Sequence, residues 1–103
     1  MTLPNLIDQR MHDGSRHFVF FPETQPCSRL LLHVVGLLGA SPTAYVPSML
    51  ESWIDFRYQG HKFSINSQMG DYWFFVRDPN CPEDILLKVA NHFEKLLKEH
   101  DEN

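Results

Sequence analysis

The sequence predicts an α+β fold in which a mainly antiparallel sheet of three to five strands carries two helices on one face. Three patterns support this prediction: apolar residues recur with helical spacing near the C-terminus, residues 52–66 alternate with a period of two, and an aromatic segment follows them. A chain of 103 residues, 43% of them hydrophobic, is long enough for one core. We therefore expect a single domain over residues 1–103.

The C-terminal part of the chain has the clearest helical pattern. Residues 78–84 are typical of a turn that leads into a helix, and Pro82 suits the first helical position. Six apolar residues then recur at spacings of three and four and define one buried face: Ile85, Leu86, Val89, Phe93, Leu96 and Leu97. The pattern predicts a helix over residues 82–99, with His92 facing solvent.

Residues 25–39 are expected to form the second helix. Pro26 suits its first turn, Gly39 would end it, and its apolar face would be lined by Cys27, Leu31, Val34, Val35 and Leu38. A buried strand over residues 30–38 is the alternative, because a short apolar run does not distinguish the two by periodicity. The leucine-rich composition favours the helix. Pro42 and Pro47 then interrupt the chain, so residues 40–50 are predicted to be a connector.

A β-hairpin is predicted around the two-residue loop Gln59-Gly60. This loop would place Tyr58 opposite His61, Phe56 opposite Phe63, and Ile54 opposite Ile65, so that the paired residues share one largely apolar face. The other face would carry polar residues, apart from one ring at its end: Trp53, Asp55, Arg57, Lys62, Ser64 and Asn66.

A third strand over residues 72–76 follows a predicted loop at residues 67–70. If Asn66 faces Asp71, then Tyr72, Phe74 and Val76 join the core face, and Trp73 and Phe75 lie on the opposite face. An earlier strand is predicted over residues 16–21. Residues 6–11 would pair with it through a turn at Asp13-Gly14.

The aromatic residues on the helix-free side of the sheet are the candidate binding residues. Trp53, Trp73 and Phe75 would form an exposed apolar patch there, of the kind that marks an interface. Residues 1–15 or 40–50 of the same chain could instead cover this patch. If they do not, the patch would serve as a protein interface, including self-association, or as part of a groove for a small molecule.

Composition argues against several classes of partner. The chain has nine basic and thirteen acidic residues and no basic cluster, which disfavours nucleic acid and anionic membranes as partners. Its longest apolar run, residues 30–40, is too short to span a membrane, and residues 1–10 do not resemble a signal peptide. With two cysteines and no export signal, we expect a reduced cytoplasmic protein.

The candidate chemical groups are isolated from one another. Cys81 lies at the expected start of a helix, but Glu83 and Asp84 disfavour its thiolate, and neither cysteine is in a Cys-x-x-Cys pair. The six histidines show no zinc-type spacing, so no metal or other cofactor is expected. His61, beside Tyr58 and with Tyr72, is the candidate for a small-molecule pocket, although a structural role for His61 is favoured. The sequence contains no catalytic constellation.

Residues 59–66, 70–76 and 81–86 resemble a family of small bacterial proteins of unknown function, chiefly from gamma-proteobacteria. The likeness covers about the second half of the chain and implies a bacterial α+β domain, without an activity or cofactor. The functional hypothesis is therefore a protein-interaction module, adaptor or regulatory, that binds a protein partner or itself as a homodimer. The alternative is a small-molecule-binding protein or minor enzyme with a pocket near His61.

Overall fold

The computed structural model describes residues 5–37, 39–48 and 51–97. These residues form one antiparallel sheet in the strand order β1-β2-β6-β5-β4-β3, together with two helices. In chain order the elements are β1 (Gln9–Arg10), β2 (Arg16–Pro22), α1 (Cys27–Val35), β3 (Ser41–Val46), β4 (Trp53–Tyr58), β5 (His61–Gln68), β6 (Asp71–Val76) and α2 (Glu83–Leu97). The predicted α+β class is confirmed. The predicted count of three to five strands is wrong, because the described chain has six.

The strand missing from the prediction is β3, which lies at the edge of the sheet and pairs only with β4 among the described strands. The connector predicted for residues 40–50 is therefore wrong over residues 41–46, and residues 49 and 50 lie outside the described part. Every side chain of β3 except that of Tyr45 is exposed, so the strand has no apolar alternation to detect. The register of β3 shifts between Pro42 and Ala44, which marks a bulge. Pro42 is tolerated there because a residue at a bulge in an edge strand does not need an N–H donor.

The hairpin of β4 and β5 has the predicted register at every pair. Tyr58 lies opposite His61, Phe56 opposite Phe63, and Ile54 opposite Ile65. Both loop residues have left-handed backbones, with φ of 54° at Gln59 and 78° at Gly60. This geometry is that of the two-residue turn whose twist matches the twist of the strands.

The β5–β6 pairing is shifted by two residues from the prediction. Asn66 faces Trp73 rather than Asp71, because β5 continues to Gln68 and the turn is confined to Met69 and Gly70. A shift of two residues keeps every side chain on its face, since the side-chain period of a strand is also two. The inner, helix-covered positions of β6 are therefore those predicted, and all are buried: Tyr72, Phe74 and Val76.

The sequence predicts that residues 6–11 pair with the strand that is now β2. The pairing is found at this place, but the strand is shorter than predicted. Only Gln9–Arg10 forms a strand, and it pairs with Arg16 and His17 of β2. The segment before it is held by Arg16, whose guanidinium donates to the backbone oxygen of Ile7 at 3.0 and 2.7 Å and to Glu83 at 2.7 Å. Arg16 thereby links the N-terminal segment to the start of α2.

Both helices cover the inner face of the sheet and complete one core. The predicted face of α2 is confirmed, because Leu86, Val89, Phe93 and Leu97 are fully buried. Residues 98 and 99 of the predicted helix lie outside the described part. Aromatic rings dominate the centre, where the Phe93 centroid is 4.9 Å from that of Phe74 and 6.1 Å from that of Phe56.

Helix α1 ends earlier than predicted and presents a slightly different face. It ends at Val35 and is capped at Gly36, whose N–H bonds the backbone oxygen of His33, so Gly39 does not end it. Leu30 and Val34 are its buried residues, and Cys27 and Leu31 pack beside them. Val35, predicted on the apolar face, is exposed, whereas Leu30, which was not assigned to that face, is buried. Leu38 is outside the described residues.

The two helices are joined by a reciprocal contact between two histidines. The Nε2 of His33 donates to the backbone oxygen of His92 at 2.7 Å, and the Nε2 of His92 donates to that of His33 at 2.6 Å. Their rings stack with centroids 3.9 Å apart. The prediction that His92 faces solvent is wrong. His92 lies outside the apolar stripe of α2, but α1 packs against that side of the helix through His33.

We expect Phe93→Ala to destabilise the protein by about 3–5 kcal/mol, because it would leave a cavity among the rings of the core. Urea unfolding followed by circular dichroism would measure the free energy of unfolding. Leu32→Ala is the matched control, because Leu32 is 69% exposed on α1, and its effect should stay below about 0.5 kcal/mol. A loss of less than about 1 kcal/mol for Phe93→Ala would contradict the described core.

The free energy of unfolding should decrease as the pH falls below about 6.5. Burial lowers the pKa of His92, and the neighbouring His33 and Lys95 add to that effect, whereas the hydrogen bond that His92 donates to the backbone oxygen of His33 opposes it. The unfolded chain therefore binds more protons in this range, and the stability present above the unfolded pKa is lost on acidification. In urea titrations from pH 8 to 5, His92→Gln should flatten this dependence. An unchanged slope would show that His92 does not contribute to it.

Candidate binding face

The face of the sheet opposite the helices, here called the outer face, is organised in rows that cross the strands. One row contains Trp53, Asn66, Trp73 and Phe20, which are paired in that order on β4, β5, β6 and β2. The next row contains Asp55, Ser64, Phe75 and His17 in the same order. The structure therefore brings the predicted residues Trp53, Trp73 and Phe75 onto one face.

His17 covers part of this aromatic group. Its ring stacks on Trp73 with centroids 4.6 Å apart and lies 5.1 Å from the ring of Phe75. Trp73 and Phe75 are consequently half-buried rather than open, and His17 itself is only 2% exposed. Trp53 and Phe20, at the two ends of the first row, keep 40% and 51% of their surface exposed.

A groove with a volume of about 810 Å³ lies on the outer face. It is lined by residues of β4, β5 and β6: Trp53, Asp55, Arg57, Lys62, Ser64, Asn66, Gln68 and Phe75. Met11, His12 and Asp13 of the β1–β2 turn border it on one side, and Thr43 of β3 borders it on the other. Both segments that the sequence suggested as a cover, residues 1–15 and 40–50, thus contribute walls to the groove.

Asp55 fixes the orientation of Trp53. The indole Nε1 of Trp53 donates to Oδ1 of Asp55 at 2.8 Å, and the hydroxyl of Ser64 donates to the same oxygen at 2.7 Å. An exposed aromatic ring that is already held by a hydrogen bond loses less conformational entropy when a ligand packs against it. This arrangement makes Trp53 a preorganised apolar contact at the rim of the groove.

A network of amides and one carboxylate lies at the Trp53 end of the groove. Asn66 is buried between the two tryptophans of its row, and its Nδ2 donates to Oε2 of Glu51 at 2.6 Å. The Nε2 of Gln68 donates to Oδ1 of Asn66 at 2.5 Å. Glu51 was not among the residues singled out from the sequence. It lies before β4, where no periodicity marks it.

His17 contributes a buried nitrogen to the outer face. Its Nδ1 lies 3.5 Å from Oε1 of Gln9, whereas its Nε2 has no partner at hydrogen-bonding geometry. Burial lowers the pKa of His17, and an interaction with the backbone of Val19 only partly opposes that shift. The lowered pKa favours the neutral ring, which is compatible with its stacking on Trp73. Sequence reasoning missed His17 because the pairing of β2 with β6 joins residues far apart in the chain.

The residues of the second predicted pocket are not brought together. Tyr58 and His61 face each other at one end of the sheet, whereas Tyr72 pairs with Ser67 near the other end. Both tyrosines are buried on the inner face, and the Tyr72 hydroxyl donates to the backbone oxygen of Gln25 at 2.7 Å. Burial raises the pKa of Tyr72. His61 is half-buried and does not line the groove.

The thiols and metal-ligating side chains give no reactive cluster in the described residues. Cys81 is buried, and burial raises the pKa of its thiol to about 11. Burial also raises the pKa of Cys27. Across residues 5–37, 39–48 and 51–97, no group of three or more histidine, cysteine or acidic residues is placed to hold a metal ion. In the same residues, neither helix is long and apolar enough to cross a membrane.

Comparison of the chain with protein-family models, with curated proteins and with solved structures finds no match. The resemblance to a bacterial family therefore stays a prediction. The outer face has to be interpreted from its own geometry.

We expect His17→Phe to change the free energy of unfolding at pH 7 by less than about 1 kcal/mol. Phenylalanine keeps a ring against Trp73 and removes a buried nitrogen that lacks a partner. At pH 5 the variant should be more stable than the wild type. The pKa of His17 is lower in the folded than in the unfolded wild type, so acid favours unfolding of the wild type, whereas the phenylalanine of the variant has no group that titrates. Urea unfolding at both pH values tests this. A variant less stable than the wild type at pH 5 would contradict it.

Proposed function

We propose that this protein is a protein-interaction module that binds a partner polypeptide on its outer face. The observation that carries the proposal is Trp53, an exposed ring fixed by Asp55 at the rim of the groove. Tryptophan is among the residues that contribute most to binding energy at protein interfaces. An adaptor or regulatory role would need no catalytic group.

Exposed apolar residues on both sides of the groove favour a polypeptide over a small ligand. Val46 lies opposite Trp53 on β3 and is exposed, and Phe20 is exposed at the other end of the row. Neither Val46 nor Phe20 lines the groove. A small molecule of matching volume would leave both uncovered, whereas a polypeptide that fills the groove can extend over its rims.

Self-association is one form of this interaction, because a second copy of the chain is also a polypeptide partner. In that case the outer faces of two copies would meet, and Trp53 of each would lie in a shared interface. Sedimentation velocity over a range of concentrations distinguishes this form from binding to a different protein.

Two experiments test the proposal. The first is affinity capture from a lysate of the native cell, followed by quantitative mass spectrometry, and the second is sedimentation of the purified protein. The baits are the wild type, Trp53→Ala, Phe20→Ala and the control Leu32→Ala, which removes an even more exposed apolar residue from α1. Trp53→Ala should reduce partner recovery or dimer formation at least tenfold, in line with the loss of a residue that anchors an interface. Leu32→Ala should retain it.

If the wild type sediments as a monomer and its captured proteins are unaffected by Trp53→Ala and Phe20→Ala, the outer face is not a protein-binding surface.

A further inference from the structure

We infer that the polypeptide bound in the groove carries acidic side chains at one end, held by Arg57, Lys62 and Arg77. This inference rests on the proposed function and specifies the chemistry of the partner. All three cations are exposed and line the groove.

The three cations lie in one row across the sheet. Arg57 is paired directly with Lys62 between β4 and β5. The row continues to Arg77, because its N–H donates to the backbone oxygen of Lys62 at 2.9 Å just beyond the end of β6. Like charges on directly opposed strand positions repel each other. Their placement side by side is unfavourable unless an anion lies over them.

The protein's own carboxylates compensate this row only in part. Hydrogen bonds from Ser15 are the main cause of the lowered pKa of Asp13, and Arg77 is a minor one. Within the described residues, none of the three cations forms an ion pair with an acidic group. The two acidic residues that line the groove nearby accept hydrogen bonds from neutral groups instead: Asp55 from Trp53 and Ser64, and Asp13 from Ser15. In a chain with a formal charge of −4, this concentration of unpaired positive charge is a local exception.

The charge changes along the groove. The cations are at one end, whereas Glu51, with the amides of Asn66 and Gln68, is at the other. Trp53 and Arg57 are four residues apart on the same face of β4, a distance of about 13 Å in an extended strand. An extended segment lying along β4 would therefore place an acidic residue about four positions from the apolar residue that contacts Trp53.

A display library of random eight-residue peptides, panned against purified protein, tests this assignment. The baits are the wild type, the triple variant Arg57→Gln/Lys62→Gln/Arg77→Gln, the control Arg29→Gln/Lys88→Gln/Lys95→Gln and, to measure dependence on Trp53, the uncharged substitution Trp53→Ala. The control removes three exposed cations from the helical side, so that both triple variants lower the net charge by three. Peptides recovered on the wild type and the control should combine Asp or Glu with an apolar residue, and the first variant should lose the acidic enrichment.

One recovered peptide, labelled with fluorescein, then gives the magnitude by fluorescence anisotropy. The groove variant should bind it roughly tenfold more weakly than the wild type, which corresponds to three exposed charge pairs. The control variant should bind it as the wild type does. A version of the peptide with Gln in place of Asp and Glu should bind the wild type and the groove variant equally, and should show little dependence on NaCl concentration.

The outcomes separate this inference from the proposed function. Peptides that require Trp53 but lack acidic residues, or acidic enrichment that survives loss of the three groove cations, would overturn the inference and leave the interaction module intact. If no recovered peptide depends on Trp53, the proposed function itself fails. Equal loss of binding in the groove and control variants would overturn the inference, since net charge alone would then explain the effect.

Discussion

The packing of α2 against the central strands is the interaction on which the rest of the structure depends. Phe93 contacts the rings of Phe56 and Phe74, and Phe56 stacks on Phe63 with centroids 5.2 Å apart. Because side chains alternate along a strand, burying one set on the inner face determines which residues remain on the outer face. The core thus decides the composition of the candidate binding surface without contacting it.

The outer face combines two features that a purely structural sheet face would not need. Its aromatic residues are partly covered by His17, and its polar residues are held by hydrogen bonds among themselves. These contacts fix the orientation of several side chains on the face. Its cations Arg57, Lys62 and Arg77, in contrast, form no ion pair among the described residues, so the hydrogen-bonded part of the face and its cations lie next to each other.

The parts of the fold that the sequence predicts are those with a strong local pattern. The β4–β5 register follows from the alternation of Ile54, Phe56 and Tyr58 and from a loop that permits one geometry. β3 lacks such a pattern because it is an exposed edge strand containing a proline. The shift in the β5–β6 register arises where β5 ends in polar residues, which give no apolar pair to align. The cover over Trp73 depends on β2, a neighbour that only non-local pairing supplies.

The edge strand β3 also bears on how a chain with exposed apolar residues on its sheet avoids uncontrolled polymerisation. Pro42 cannot donate a hydrogen bond from its backbone, and the bulge beside it distorts the free edge. At the opposite edge, β1 contains only two residues and offers little to an incoming strand. Neither border of the described sheet is a good template for further strands, so any contact made through the outer face should give discrete complexes instead of fibres.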